Sequence, residues 1–258
     1  MNPATVTKRW DNAPRGFFEA EAAGLTWLAA AGGARLVRVV SVEPHAIELE
    51  RISEARPDAS AARALGAGLA RTHTAGAAAF GVAPDGGGAP IFIGRREMPV
   101  AHDANWGAFY ARDRVLPFLP IALAAGNISA DDAGVVRDAY ELIASGDLDD
   151  DEPPSRIHGD LWSGNVLWST DGAVLIDPAA HGGHRETDLA MLALFGCPFL
   201  EELYAGYNGV APLRAGWRQR IPLHQLHPLA VHAAGHGPHY GVLLADAARE
   251  VLRMAEYS

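Results

Sequence analysis

The segment 156–178 holds four side chains that could take part in catalysis, namely His158, Asp160, Asn165 and Asp177. A carboxylate such as that of Asp160 can orient an attacking hydroxyl group and accept its proton. Carboxylate and amide oxygens, which Asp177 and Asn165 supply, are ligands that Mg²⁺ prefers. Mg²⁺ in turn holds the phosphates of a nucleotide. These residue types and their spacing therefore predict phosphoryl transfer.

Two short predicted strands position these groups. Residues 165–168 and 173–176 are apolar runs, and the turn between them contains Asp171-Gly172, a strong signal for a β-hairpin. The loop before the hairpin carries three of the four side chains, and Asp177 follows its second strand. Rigid strands can hold such loop residues in place.

Three motifs resemble a known family: H-G-D-L-W-S-G-N, then I-D-P-A, then G-H-R-E-T-D-L-A-M-L-A-L-F-G at residues 183–196. They are similar to the fructosamine (ketosamine) kinases, which belong to the aminoglycoside phosphotransferase branch of the protein-kinase-like fold. An Asp, an Asn five residues later and an Asp after a hairpin also match kinase catalytic loops. The resemblance implies an α+β fold of two lobes, with a small, truncated N-lobe (residues 1–52) and a mainly helical C-lobe (residues 53–258).

The implied function is ATP-dependent phosphorylation of a sugar hydroxyl on a small-molecule ketoamine (a fructosamine or ketosamine), with Mg²⁺. By the resemblance, the catalytic residue is Asp160, the metal ligands are Asn165 and Asp177, the nucleotide-binding residues are Lys8, Glu21, Glu48 and Glu50, and the substrate-binding residues are Trp162, His184 and Glu186. Asp188 resembles an aspartate that steadies the catalytic loop, and His158 is expected to hold that loop by hydrogen bonds.

Some of these roles have ordinary structural alternatives. Lys8 could be a solvated lysine, Glu21 could lie on a solvated helix face while Glu19 takes its place, and Trp162 could be a core indole.

Kinases of this type also have a glycine-containing hairpin before the phosphate-binding lysine. Only seven residues precede Lys8, so we expect either a shortened start or a variant with an open nucleotide site. Two other functions therefore stay open: phosphorylation of another hydroxyl compound, such as an aminoglycoside, and ligand binding without turnover.

Hydrophobic patterns and breakers predict the remaining elements. Strands are expected at residues 4–10, 35–40 and 46–50, and helices at 15–31, 59–74, 106–119, from the Ser129 cap to Gly146, and at 186–195. The segment 80–103 is predicted to be a long loop that could cover the substrate, with a flexible run P-D-G-G-G-A-P.

The acidic run 147–154 is typical of a solvated loop, although it could instead attract amine-bearing substrates. His73 is expected to be a packed helix histidine, and a zinc site at His232 and His236 is the weaker alternative to ordinary helix residues.

Composition limits the possible partners. The net charge of −10 over 258 residues argues against a nucleic-acid surface, and no apolar stretch is long enough to cross a bilayer. The single cysteine, Cys197, cannot form an internal disulfide and fits a reducing environment. Together with an N-terminus that lacks the apolar run of a signal peptide, this predicts a cytoplasmic protein without a membrane partner.

Overall fold

The computed structural model describes residues 4–84 and 90–255, which mix helices and strands as predicted. In chain order, the strands are β1 (Thr5–Arg9), β2 (Val39–Glu43), β3 (Ala46–Glu50), β4 (Ile91–Ile93), β5 (Arg96–Met98), β6 (Ser155–Ile157), β7 (Val166–Ser169), β8 (Gly172–Leu175) and β9 (His181–Gly183). The α-helices are α1 (Phe17–Ala29), α2 (Ala59–Thr74), α3 (Trp106–Phe109), α4 (Leu119–Ala124), α5 (Ala130–Ala144), α6 (Arg185–Phe195), α7 (Leu200–Asn208), α8 (Ile221–Ala233) and α9 (Pro238–Ala255).

The N-terminal strands form an antiparallel sheet in the order β1-β3-β2. Its central strand alternates, so that Ile47 and Leu49 are buried while the glutamates between and after them are more exposed. Strand β2 begins four residues later than the predicted strand at 35–40. The reason is that the segment 35–37 pairs with Leu175, at the end of β8, instead of with β3. Val37 N–H donates to Leu175 O at 2.9 Å, and Leu175 N–H donates to the carbonyl oxygen of residue 35.

The predicted hairpin is present as β7 and β8, each within one residue of its predicted bounds. Ser169 lies opposite Gly172 across a two-residue turn, and Gly172 has a φ of 107°, which a residue with a Cβ rarely adopts. The local Asp-Gly signal is therefore confirmed. Strand β6 leads into the loop before this hairpin and pairs with β9, which comes after it.

Helices α2 and α7 cross at two glycines. A Cβ on Gly66 would lie 1.9 Å from the carbonyl oxygen of Leu203, and a Cβ on Gly206 would lie 2.0 Å from that of Arg63. No side chain fits at either position, so the two backbones are in direct contact. Helix α2 has the bounds that the sequence predicts, and it carries His73 near its C-terminal end.

Two hydrophobic clusters form the core. The first lies among helices α3, α4, α5, α8 and α9. The second contains Leu28 and Ile47 of the N-terminal part together with Leu65 and Val174 of the part that follows, so it extends across residue 52. The division into lobes at that residue stays a prediction. No helix in the described ranges combines the length and the apolar character needed to cross a membrane.

The predicted long loop at 80–103 contains a second hairpin, so the prediction of an unstructured segment is wrong for its C-terminal half. Strands β4 and β5 pair around a turn at Gly94-Arg95, and backbone hydrogen bonds between Phe80 and Asp103 close the base of the segment. The predicted flexible run falls mostly on residues 85–89, which lie outside the described residues.

The predicted helix at 106–119 is interrupted. Helix α3 ends at Phe109, a π-helical turn covers Tyr110–Val115, and a 3₁₀ turn covers Leu116–Phe118 before α4 begins. Pro117 lies in the 3₁₀ turn and has no N–H to donate to the preceding turn, which accounts for the break there. In contrast, the predicted Ser129 cap is confirmed, because its Oγ accepts a hydrogen bond from Asp132 N–H.

Candidate active site

Asp188 holds the loop that joins β6 to β7. Its carboxylate accepts hydrogen bonds from His158 N–H at 2.7 Å and Gly159 N–H at 2.9 Å, and His73 Nε2 lies 3.1 Å away. The other ring nitrogen of His73 is 2.8 Å from the hydroxyl of Tyr207. His73 is buried in its helix, as expected, and it also takes part in fixing this loop.

His158 is buried and its ring is fully engaged. Its Nε2 lies 2.9 Å from the carbonyl oxygen of Ile176, and its Nδ1 accepts from Asp160 N–H at 3.3 Å. Gly159 has a φ of 80°, and a Cβ there would lie 2.3 Å from the carbonyl oxygen of Ala179. These contacts are those of a residue that shapes a loop rather than one that transfers protons.

Asp160 and Asn165 meet at the end of this loop. Asn165 Nδ2 donates to the backbone oxygen of Asp160 at 2.8 Å and to its carboxylate at 3.1 Å. Burial raises the pKa of Asp160 to about 7, although the hydrogen bond from Asn165 acts in the opposite direction. The nearby carboxylates of Asp177 and Asp188 reinforce the rise, because neighbouring negative charges disfavour ionisation.

Lys8 joins the N-terminal sheet to the end of the hairpin. Its ammonium group lies 2.7 Å from Glu21 Oε1 and also contacts Asp177 Oδ1. Burial lowers the pKa of Lys8, but the two carboxylates outweigh it, so the net shift is upward and the side chain stays charged. Glu21, rather than the competing Glu19, makes this contact. Asp177 adopts a φ of 56°, an uncommon conformation for a residue with a side chain.

One cavity of about 540 Å³ brings together six of the ten predicted site residues: Lys8, Glu21, Asp160, Trp162, Asn165 and Asp177. This volume is in the range of ligand pockets. The side chain of Trp162 lies against the cavity and is 40% exposed as a residue, so it is not a core indole. Another part of the wall is formed by Trp10 and Phe17, which the sequence did not single out, and by Phe92 and Arg95 of the segment 80–103, which was predicted to cover the substrate.

Glu48 and Glu50 do not line this cavity. Glu48 accepts hydrogen bonds from the hydroxyls of Thr5 at 2.6 Å and Ser41 at 3.3 Å, so it links the three strands of the sheet. Glu50 accepts from Arg38 N–H at 3.1 Å. Their carboxylates therefore have structural partners, and no contact described here connects them with the cavity.

His184 and Glu186, the other predicted substrate residues, are buried at the start of α6 and do not line the cavity. His184 Nδ1 accepts from Glu186 N–H at 3.1 Å, which leaves its proton on Nε2, 3.1 Å from Asp150 Oδ1. Burial would raise the pKa of Glu186, but hydrogen bonds from His224 and Arg220 outweigh it and hold it at about 2. Arg220 reaches this carboxylate with two nitrogens, at 3.0 and 2.5 Å.

In the described ranges, the group of three ligand-type residues close enough to hold a metal ion is His184, Glu186 and His224. The hydrogen bonds argue against such a site, because both nitrogens of His184 are engaged and the carboxylate is bound by a guanidinium. The pair His232 and His236 does not belong to this group. Their rings lie 4.9 Å apart, and His232 Nδ1 is 2.7 Å from the carbonyl oxygen of Pro228.

The acidic run 147–154 is less solvated than expected. Asp149 accepts from Gly107 N–H at 2.9 Å, Asp150 contacts His184, and Glu152 lies 2.5 Å from Arg185. These carboxylates therefore brace the start of α3 and α6. The sequence could not reveal this, because each partner lies more than thirty residues away in the chain.

Comparisons with known proteins agree with this geometry. The fructosamine kinase family profile matches residues 7–254. A probable ketoamine kinase of Enterococcus faecium is 32% identical over 243 residues, which cover 89% of this chain and 81% of that protein. One of Vibrio vulnificus is 34% identical over 64% of this chain but only 55% of its own length.

Solved structures extend the likeness to the fold. A Thermobifida fusca structure, provisionally assigned as a fructosamine-3-kinase, is 46% identical with a TM-score of 0.90, over 96% of this chain and 85% of that one. A choline kinase from Streptococcus pneumoniae (17% identical, TM-score 0.59, over 98% of this chain and 87% of that one) shares the fold alone. The predicted α+β, protein-kinase-like fold is thus confirmed. The motifs, the loop that they form and a profile match over nearly the whole chain lead to one conclusion: this protein belongs to the fructosamine kinase family.

Proposed function

We propose that this protein transfers the γ-phosphoryl group of ATP to a sugar hydroxyl of a small-molecule ketoamine. The observation that carries the proposal is the convergence of Lys8, Asp160, Asn165 and Asp177 on one cavity. Membership of the fructosamine kinase family, and similarity to probable ketoamine kinases, favour a ketoamine over an aminoglycoside as the acceptor. A cytoplasmic location is supported by the sequence, which contains a single cysteine.

Asp160 is proposed to receive the proton of the attacking hydroxyl. A catalytic base works best when its pKa lies near the operating pH, and burial raises the pKa of Asp160 to about 7. The hydrogen bond from Asn165 fixes the carboxylate, and the loop beneath it is held by Asp188. The hydroxyl can thus meet a base of suitable strength in a fixed orientation.

Asn165 and Asp177 are proposed to hold Mg²⁺. Because Asn165 uses its amide nitrogen to donate to Asp160, its side-chain oxygen is left for a cation. Asp177 contributes a carboxylate that is 40% exposed at the cavity. Oxygen donors of this kind fit a hard divalent cation. When bound, the ion would neutralise charge on the nucleotide phosphates.

Lys8 is proposed to contact the nucleotide phosphates, with Glu21 as its orienting partner. The 2.7 Å contact between them places the ammonium group at the cavity wall, and the upward shift of the Lys8 pKa keeps it positive at neutral pH. Lys8 therefore presents positive charge where phosphate would lie, and Mg²⁺ held by Asn165 and Asp177 would add to it. The aromatic ring of Trp162 offers a flat wall for a sugar ring.

The test is a phosphorylation assay with ATP, Mg²⁺ and a ketoamine such as the 1-deoxyfructosyl derivative of an amine. We expect Asp160→Asn to lower kcat by about 10²–10⁴-fold, the usual contribution of a general base. The matched control is Asp171→Asn, which makes the same change in the exposed hairpin turn. Wild-type protein that phosphorylates no ketoamine, or an Asp160→Asn variant with the wild-type rate, would contradict the proposal.

A further inference from the structure

The wall of this cavity also contains a cation that lies over an aromatic ring. The guanidinium of Arg95, in the turn between β4 and β5, lies 4.9 Å from the centroid of the Trp10 ring. Among the described residues, no carboxylate is within ion-pair distance of it, so its N–H groups are available to a ligand. Lys8, by contrast, is already bound by two carboxylates.

Aromatic contacts fix the position of this guanidinium. The Trp10 ring meets Phe17 edge-on at 5.0 Å, and Phe17 meets Phe92 of β4 at 5.1 Å. Phe92 belongs to the same hairpin as Arg95. The hairpin therefore contacts Phe17 of α1 through Phe92 and contacts Trp10 through Arg95, and Phe17 and Trp10 contact each other. A guanidinium that lies over a ring held in this way is partly positioned before a ligand arrives, so it loses less conformational freedom on binding.

We propose that Arg95 selects ketoamines that carry a carboxylate next to the amine, which are those formed from amino acids. This inference rests on the proposed function and names its substrate class. A planar guanidinium with free N–H groups matches a carboxylate through two parallel hydrogen bonds. The sugar end of such a ketoamine would lie at Asp160, and its amino-acid end would lie at Arg95 on the wall of the same cavity.

A phosphate of the nucleotide has the same oxyanion chemistry, but the surroundings of Arg95 favour the organic acceptor. The wall beside it is apolar, with Trp10, Phe17, Ile91 and Phe92. Of the groups suited to phosphate, Lys8 contacts Asp177, and Asn165 donates to Asp160. Among the contacts of the described residues, none of these groups touches Arg95. An apolar wall that carries a guanidinium fits a carbon chain that ends in a carboxylate.

The experiment compares two substrates that differ only in charge, the 1-deoxyfructosyl derivatives of glycine and of glycinamide. We expect wild-type protein to prefer the glycine derivative by about tenfold in kcat/KM, through a lower KM. A tenfold preference is at the low end of what a hydrogen bond to a charged group contributes, because the site is open to solvent. Arg95→Gln should reduce this ratio to about one. Trp10→Leu, which removes the ring under the guanidinium, should reduce it as well.

Arg9→Gln is the matched control, because Arg9 lines the same cavity without a ring under its guanidinium, and it should keep the tenfold ratio. Equal use of both derivatives by wild-type protein would overturn the inference and leave the proposed function intact. If Arg95→Gln kept the wild-type preference for the glycine derivative but raised the KM for ATP, Arg95 would be assigned to a nucleotide phosphate, and the inference would also be overturned. Failure of wild-type protein to phosphorylate either derivative, or any ketoamine, would overturn the proposed function itself.

Discussion

Replacing Asp188 by Asn should damage both stability and catalysis, although Asp188 does not line the cavity. This side chain is only 1% exposed, and its two oxygens serve three donors: two backbone N–H groups of the catalytic loop and the ring of His73. An amide has one acceptor oxygen. Whichever way it is oriented, its NH₂ group faces at least one of these donors, so a buried N–H loses its partner.

The expected cost follows from these contacts. In the better orientation, the amide oxygen still accepts hydrogen bonds from His158 N–H and His73. Gly159 N–H then has no acceptor, and an unsatisfied buried N–H costs about 1–3 kcal/mol. The two remaining hydrogen bonds change from charged to neutral acceptors and become roughly half as strong. Together we expect a loss of about 2–4 kcal/mol in the free energy of unfolding, which corresponds to about 4–16 °C in Tm for a chain of this size.

Two quantities should be measured for the variant: its free energy of unfolding, by chemical denaturation, and its kcat, at a temperature where it is folded. We expect kcat to fall by about 10²-fold, because a displacement of the loop by about 1 Å has an effect of that size. Asp171→Asn in the exposed turn is the control for stability. Burial would raise the pKa of Asp188, but the hydrogen bond and charge interaction with His73, together with His158 and the Gly159 N–H, outweigh it, so the pKa is lowered. The wild-type advantage should therefore be constant above the unfolded pKa of about 3.9, decline as pH falls below that value, and be lost once pH has passed the lower folded pKa. A loss below about 0.5 kcal/mol, as for an ordinary surface substitution, would refute this reasoning.

Two further predictions concern pH and metal. Because the pKa of Asp160 is raised to about 7 and only its ionised form accepts a proton, kcat/KM should fall as pH decreases through about 7; a flat profile between pH 5.5 and 8.5 would exclude it as the base. Asp177→Asn should shift the Mg²⁺ titration of activity to higher concentration, and Asn165→Ala should do so more weakly, because a neutral amide attracts a dication less than a carboxylate. Wild-type titration curves for both variants would contradict the metal assignment.

Local signals in the sequence explain why three of the predicted site residues lie together. The hairpin β7–β8 follows from its turn residues, and Asp160, Asn165 and Asp177 converge because that hairpin fixes the chain on both sides. Lys8 and Glu21 required the family resemblance, since nothing in a short N-terminal strand shows which carboxylate will face its lysine. The structure brings these five residues to one cavity.

The parts that the sequence could not predict depend on partners distant in the chain. An apolar run such as 35–40 suits a strand, but only the fold shows that its first half pairs with Leu175. The family resemblance placed His184 and Glu186 among the substrate-binding residues, and the fold shows that Asp150 and Arg220 bind them in the interior. The β4–β5 hairpin has only a weak local signal, the glycine of its Gly94-Arg95 turn, because its second strand, Arg96–Met98, is mostly charged.

The crossing of α2 and α7 at Gly66 and Gly206 has a consequence for protein engineering. Glycine within a helix is usually a target for replacement by alanine, which improves helix propensity by about 1 kcal/mol. Here the added methyl group would meet a carbonyl oxygen at about 2 Å and force the two helices apart. Because α2 carries His73, which supports Asp188, the separation would reach the catalytic loop. A stabilisation campaign guided by helix propensity alone would thus select, at these two positions, substitutions that inactivate the enzyme without altering any residue of its cavity.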